Sequence, residues 1–142
     1  MFKKFSFWIW ATIVMQLLTA GFHSLSFFAE PQAKNDTEKQ LVDLVTNYKP
    51  DAGMGFHPSF HDLFTGISIS FTLLFIFGAL LNIYFKRNEL QAELWRGFLL
   101  IETLVFGAVF AANAFFTFAP PIICTGLIFL FVLGAYLSVK TK

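Results

Sequence analysis

Residues His57-Pro58-Ser59-Phe60-His61-Asp62 set two imidazoles and a carboxylate at the mouth of a long apolar run, and a third imidazole, His23, stands late in another. Imidazoles titrate near neutral pH, exchange protons and ligate transition metals. His23, His57 and His61, joined by Asp62 or Glu30, are therefore a candidate set for zinc, copper, iron or haem. Their spacing matches no specific metal motif. Hydrogen-bonding or proton-titrating histidines at a pocket mouth, and satisfied interfacial histidines, are the competing readings. Pro58 suits the first turn of a helix, where its missing N–H is no loss. The residue before a proline avoids helical backbone, so His57 is expected just outside that helix and forms no clean i,i+4 pair with His61. Asp62, in the first turn, complements the helix dipole.

Glu102 is the most conspicuous acid. It follows Arg96 by six residues, about 9 Å of helix rise, within an apolar segment. A lone carboxylate at that depth must find donors or hold a proton. Gln16, Asn82 and Lys86 are its candidate partners. It is read as a proton or headgroup site near the inner leaflet, or as a structural hydrogen bond between helices. Asn113 shares its face about three turns further on.

Polar residues inside apolar segments are costly, so their placement carries information. Thr12, Gln16, Thr19, His23 and Ser26 step by four, three, four and three, which is one face of a helix. His61, Thr65, Ser68 and Thr72 do the same. If the two helices are antiparallel with His23 level with His61, then Thr19 meets Thr65, Gln16 meets Ser68 and Thr12 meets Thr72. Such stripes serve either as hydrogen-bonding glue between helices or as the lining of a polar cavity. Small residues at Gly107, Ala108, Ala111 and Ala112 permit close packing beside them.

The elements that must carry these groups are helices in a membrane. Of 142 residues, 56% are hydrophobic and 13% charged, against about 25% charged in soluble domains. A soluble chain this short could not hide so much apolar surface. Four apolar segments, about 7–28, 58–85, 97–118 and 121–139, each approach the ~20 residues that cross the hydrocarbon as a helix. The expected fold is all-α: a single-domain, integral-membrane four-helix bundle of up-down-up-down topology. The outer loop 29–57 should hold a short amphipathic helix, capped by Asn35 with Glu38 reaching back, with Leu41, Leu44, Val45 and Tyr48 on one side. A tight turn is expected at Ala119-Pro120-Pro121.

Lys3, Lys4, Lys86, Arg87, Arg96, Lys140 and Lys142 fall on one side of this layout, and only Lys34, Lys39 and Lys49 on the other. That bias puts both termini inside, in the cytoplasm. Lys3 and Lys4 before an apolar run also resemble a signal peptide, but the run is long and ends in no A-x-A site, so an uncleaved anchor is expected. A net charge of +1 gives no sign of nucleic-acid binding, and one cysteine, Cys124, excludes an internal disulfide. No G-x-S-x-G, H-E-x-x-H, C-x-x-C or phosphate-cradling glycine loop is present.

Four short helices, a basic N-terminus, Gly21-Phe22-His23 late in the first helix and a structured first outer loop resemble the small bacterial DoxX-like membrane proteins. The stretch GMGFHPSFHDLFTG is not a DoxX feature, and the chain is more similar to a set of small four-helix bacterial proteins without assigned activity. Neither resemblance carries a functional residue over. The leading expectation is a non-enzymatic protein of a bacterial inner membrane that binds membrane lipid or a quinone-like amphiphile in a polar-lined bundle open to the outer face, or serves as an accessory subunit. His23, His61, Asp62, Glu102 and Asn113 would bind, with Gln16 in support. A metal- or haem-dependent enzyme using the histidines, and a scaffold packing as a homo-oligomer or on a membrane-protein partner, are the alternatives.

Overall fold

The computed structural model describes residues 2–28 and 32–139, and the side chains among them from Lys4 onward; Glu30, Lys140 and Lys142 lie outside the described residues. The described chain is helical and holds no strand. Helix α1 runs Phe2–Leu25 and closes in a 3-10 turn, Ser26–Phe28; α2 runs Asp36–Asn47, α3 Phe60–Arg87, α4 Ala92–Phe116 and α5 Ala119–Ser138. All but α2 are long and apolar enough to cross a membrane. Large apolar side chains lie exposed along all four of these helices and outnumber the buried ones. Hydrocarbon is the solvent that tolerates such a surface.

The helices α1, α3 and α4 extend past their expected ends on the side of the basic residues. Lys4, Lys86, Arg87 and Arg96 all lie within helices. The apolar run stops at the edge of the hydrocarbon, but Lys, Arg, Glu and Gln are good helix formers in water, so the helix continues. The α3–α4 connection closes on Glu89, a non-glycine residue at φ 48. There the Leu90 amide donates to the Phe85 carbonyl at 3.2 Å, the six-to-one bond of a Schellman end.

Both proline expectations need correcting. Pro58 precedes α3 instead of sitting in its first turn, because Ser59 is a better cap. Pro120 and Pro121 lie inside the first turn of α5, where their missing N–H groups are harmless. The chain breaks two residues earlier, at Thr117 and Phe118.

Contacts divide the chain into two units. One holds α1 up to Ala20, α3 from Leu74, α4 and α5, and every buried apolar residue among the described ones belongs to it. Its helices each bury a row of positions three or four apart. These are Ile9, Thr12, Ile13, Gln16 and Thr19 in α1, Phe75, Ala79 and Asn82 in α3, Trp95, Leu99, Glu102 and Phe106 in α4, and Thr125, Ile128, Val132 and Ala135 in α5. Lipid provides little drive for apolar helices to associate, so close shape fit must do it. Glycines supply the fit. A Cβ at Gly107 would stand 3.1 Å from the Phe129 ring, and one at Gly126 would stand 3.0 Å from the Phe110 ring. Those two rings stack at 6.2 Å. At Gly134 a Cβ would meet the Trp8 indole at 2.7 Å.

Aromatic and basic residues gather in the same unit. Trp95 packs on Phe5 and Phe85, Lys86 lies over Trp10, and Arg96 lies over Tyr136. Trp and Tyr with basic neighbours mark a membrane–water interface.

The second unit is Gly21–Leu73. Asn35 caps α2 as expected: its side chain accepts from the Glu38 amide at 2.9 Å, and Glu38 reaches back to the Lys34 amide at 2.6 Å. Gly53, Met54 and Gly55 all have positive φ, and Met54 is 98% exposed at the tip of a turn whose base is the Ala52–Phe56 hydrogen bond.

The Gly134 contact yields a test. Gly134→Ala is expected to lower stability by about 1–3 kcal/mol by pressing on a rigid indole. Gly97→Ala, where a Cβ meets nothing within 4 Å, should be neutral or better. Reversible unfolding of the two variants in detergent micelles measures the difference.

Candidate functional site

Glu102 is 7% exposed, and Gln16 and Asn82 are fully buried. The three residues come from α4, α1 and α3 and form one cluster. Asn82 Nδ2 donates to Glu102 Oε1 and Oε2 at 3.0 and 3.2 Å. Gln16 Nε2 donates to Glu102 Oε1 at 3.3 Å, and Asn82 Nδ2 reaches Gln16 Oε1 at 3.4 Å. Gly78, one turn before Asn82, makes room: a Cβ there would lie 2.9 Å from Gln16 Nε2. Two of the three partners expected for Glu102 are thus found. The third, Lys86, turns instead to Ser6 Oγ at 2.8 Å.

The register expected from the two polar stripes is not the one formed. Gln16 lies against Gly78 and Asn82, not Ser68, and the His23 ring lies against Phe71, not His61. Both contacts shift α3 by about ten residues, roughly 15 Å of rise. The buried face of α3 continues from Thr72 through Phe75 and Ala79 to Asn82, in steps of three, four and three. Its polar partner for Gln16 therefore lies beyond the stripe that was counted.

The histidines are consequently not gathered. His23 is half-buried between the rings of Phe27 and Phe71, each met edge-on at 6.4 and 6.3 Å. His57 and His61 are exposed. Among the described residues no group of three or more His, Cys, Asp or Glu could hold a metal ion. Asp62 works as a helix cap. Its Oδ2 accepts from the Ser59 amide at 2.9 Å and from Ser59 Oγ at 2.8 Å, while the Asp62 amide donates to Ser59 Oγ at 3.1 Å. These bonds hold the exposed Asp62 carboxylate at the start of α3, with Ser59 buried beneath it. Asn113 is half-buried and donates to its own helix at the Val109 carbonyl, 2.9 Å away.

Three residues that matter here were not singled out as site residues by the spacing of polar groups. Ser59 was signalled by S-x-x-D before an apolar run, the pattern of a capping box. Asn82 was visible only as a candidate partner of Glu102. Thr72 stood in the counted stripe, yet its distinction is structural. Thr12, Thr19, Thr103 and Thr125 each return their hydroxyl to a carbonyl one turn earlier. Thr72 Oγ1 is buried with no partner, and so is His23 Nε2.

Comparison with protein-family models gives no match, and comparison with curated proteins and with solved structures gives none either. The likeness to DoxX-like proteins therefore rests on helix layout alone. Four helices long and apolar enough to cross a membrane are consistent with a multi-pass helical membrane protein.

Two tests follow. Asn82→Leu removes the main donor of a buried carboxylate and should cost about 1.5–3 kcal/mol. Gln16→Leu should cost less, and the double variant less than the sum, because the two amides share one acceptor. Unfolding of the four proteins in detergent gives the cycle. Separately, Ser59→Ala should cost about 1 kcal/mol and raise amide exchange at Leu63 and the residues before it, leaving α4 and α5 unchanged.

Proposed function

We propose that this chain is a non-enzymatic, multi-pass protein of a bacterial inner membrane that holds a small amphiphile, lipid- or quinone-like, by an oxygen at its polar end. In this reading the four long helices run up-down-up-down with both termini in the cytoplasm, as the basic residues favour. Helix α2 lies at the outer interface with Leu41 and Leu44, both exposed, toward the acyl chains.

The observation that carries the ligand reading is the pair of orphaned polar atoms, His23 Nε2 and Thr72 Oγ1. Phe71, the neighbour of Thr72, touches the His23 ring, which puts both groups in one region of the second unit. A buried polar atom without a partner costs about 1–3 kcal/mol, and native chains rarely leave one unexplained. A hydroxyl donates, and a neutral imidazole donates from one nitrogen. A carbonyl or phosphate oxygen accepts from both. The edge-on rings of Phe27 and Phe71 would flank the head of such a molecule, and its apolar tail would lie among the lipid-facing side chains.

Native mass spectrometry of the purified full-length protein tests this. A stoichiometric lipid or quinone is expected on the wild type and is expected to be lost from His23→Ala and from Thr72→Val, a near-isosteric change. An empty wild type, or variants that retain the same molecule, would count against the reading.

A further inference from the structure

The surroundings of the Asn82 amide are crowded with oxygens. Four oxygens lie 3.0–3.4 Å from Nδ2: both carboxylate oxygens of Glu102, Gln16 Oε1 and, at 3.1 Å, the Gly78 carbonyl. An amide nitrogen has two hydrogens and satisfies two acceptors. The fifth oxygen of the cluster, Asn82 Oδ1, is buried and bonded to nothing. Gln16 Nε2 adds one further donor, at 3.3 Å. The carboxylate is nine-tenths buried, and the partners that touch it are neutral amides, so they solvate its charge without cancelling it. Several oxygens gathered around one point, one of them with no hydrogen bonded to it, are how proteins coordinate hard cations. A single added proton would serve only two of these oxygens; an ion bound among them would serve more. Gly78 adds to the close approach, since a Cβ there would press on the Gln16 amide at 2.9 Å.

We propose that Glu102, Gln16, Asn82 and the Gly78 carbonyl form a binding site for a sodium-sized alkali cation within the membrane. Asn82 is the movable ligand. Turning its amide about χ2 carries Nδ2 out of the ring of oxygens and brings the orphaned Oδ1 in, so the same side chain closes the site without the ion and ligates with it. This site lies wholly in the first unit and does not depend on the amphiphile proposed at His23 and Thr72.

The full-length protein in detergent is unfolded by heat at constant pH and ionic strength, with sodium chloride replaced stepwise by choline chloride, whose cation is too large to enter. A saturable rise of the unfolding midpoint with sodium, larger than that with potassium, is expected. Glu102→Gln, which keeps the shape and removes the charge, should abolish the sodium dependence. Because that variant can also lose stability, Gln16→Met provides the second arm: it preserves volume, removes one oxygen, and should shift the sodium midpoint to higher concentration. Equilibrium binding of radioactive sodium to wild type and Gln16→Met reads the same affinities without unfolding. Identical midpoints in sodium and choline overturn the proposal, as does a sodium response that survives Glu102→Gln. A cluster sensitive to pH alone, with no difference between the two salts, would mean that a proton does the neutralising and also overturns it.

Discussion

In hydrocarbon a polar group has only the protein to bond with, and the organisation of the first unit follows from that constraint at one amide. Asn82 joins a carboxylate from α4 and a carboxamide from α1 to the backbone of its own helix. Each bond is modest in isolation, and interhelical hydrogen bonds in membranes average about 0.6 kcal/mol. Their contribution here is one of register. Apolar rows pack almost equally well when slid by a turn, but sliding α3 would take Asn82 away from Glu102 and Gln16 and leave the buried carboxylate with Gln16 as its one remaining donor. The glycine contacts at 78, 107, 126 and 134 add shape to that restriction. Polar bonds choose the alignment, and the close packing holds it.

The second unit answers the same constraint differently. It buries no apolar residue among the described ones and buries Ser59 and Thr72. Its order comes from local bonds: the Asn35–Glu38 cap, the Ser59–Asp62 cap and the turn at Gly53–Gly55. Caps of this kind stabilise helix ends without needing neighbours. The residues of HPSFHD are thus chiefly the start of α3. The carboxylate is used by Ser59, and the two imidazoles are exposed.

Much of this was legible in the sequence, and the failures have physical causes. Helices were legible because an apolar run of membrane length has few other solutions. The partners of Glu102 were legible because so few polar groups stand at its depth. Register was not. Both stripes have the same three-and-four spacing, so they match at several offsets, and levelling His23 with His61 is only one of them. The offset is decided by Asn82, which is separated from the visible stripe by the apolar Phe75 and Ala79 and so reads as isolated. Prolines misled in both places for one reason. A proline fits the first turn of a helix and also the loop before it; the Ser59 cap leaves Pro58 in the loop, whereas α5 starts without a side-chain cap and takes its prolines into the first turn.

The turn at Gly53-Met54-Gly55 has a chemical consequence of its own. A thioether almost fully open to solvent, held between two glycines, has no steric protection from peroxide. Met15, partly buried in α1, lies in a membrane-spanning segment. Sulfoxidation mapped to the Met54 peptide after treatment with a polar oxidant that does not cross bilayers would therefore record which compartment this loop occupies in an intact cell.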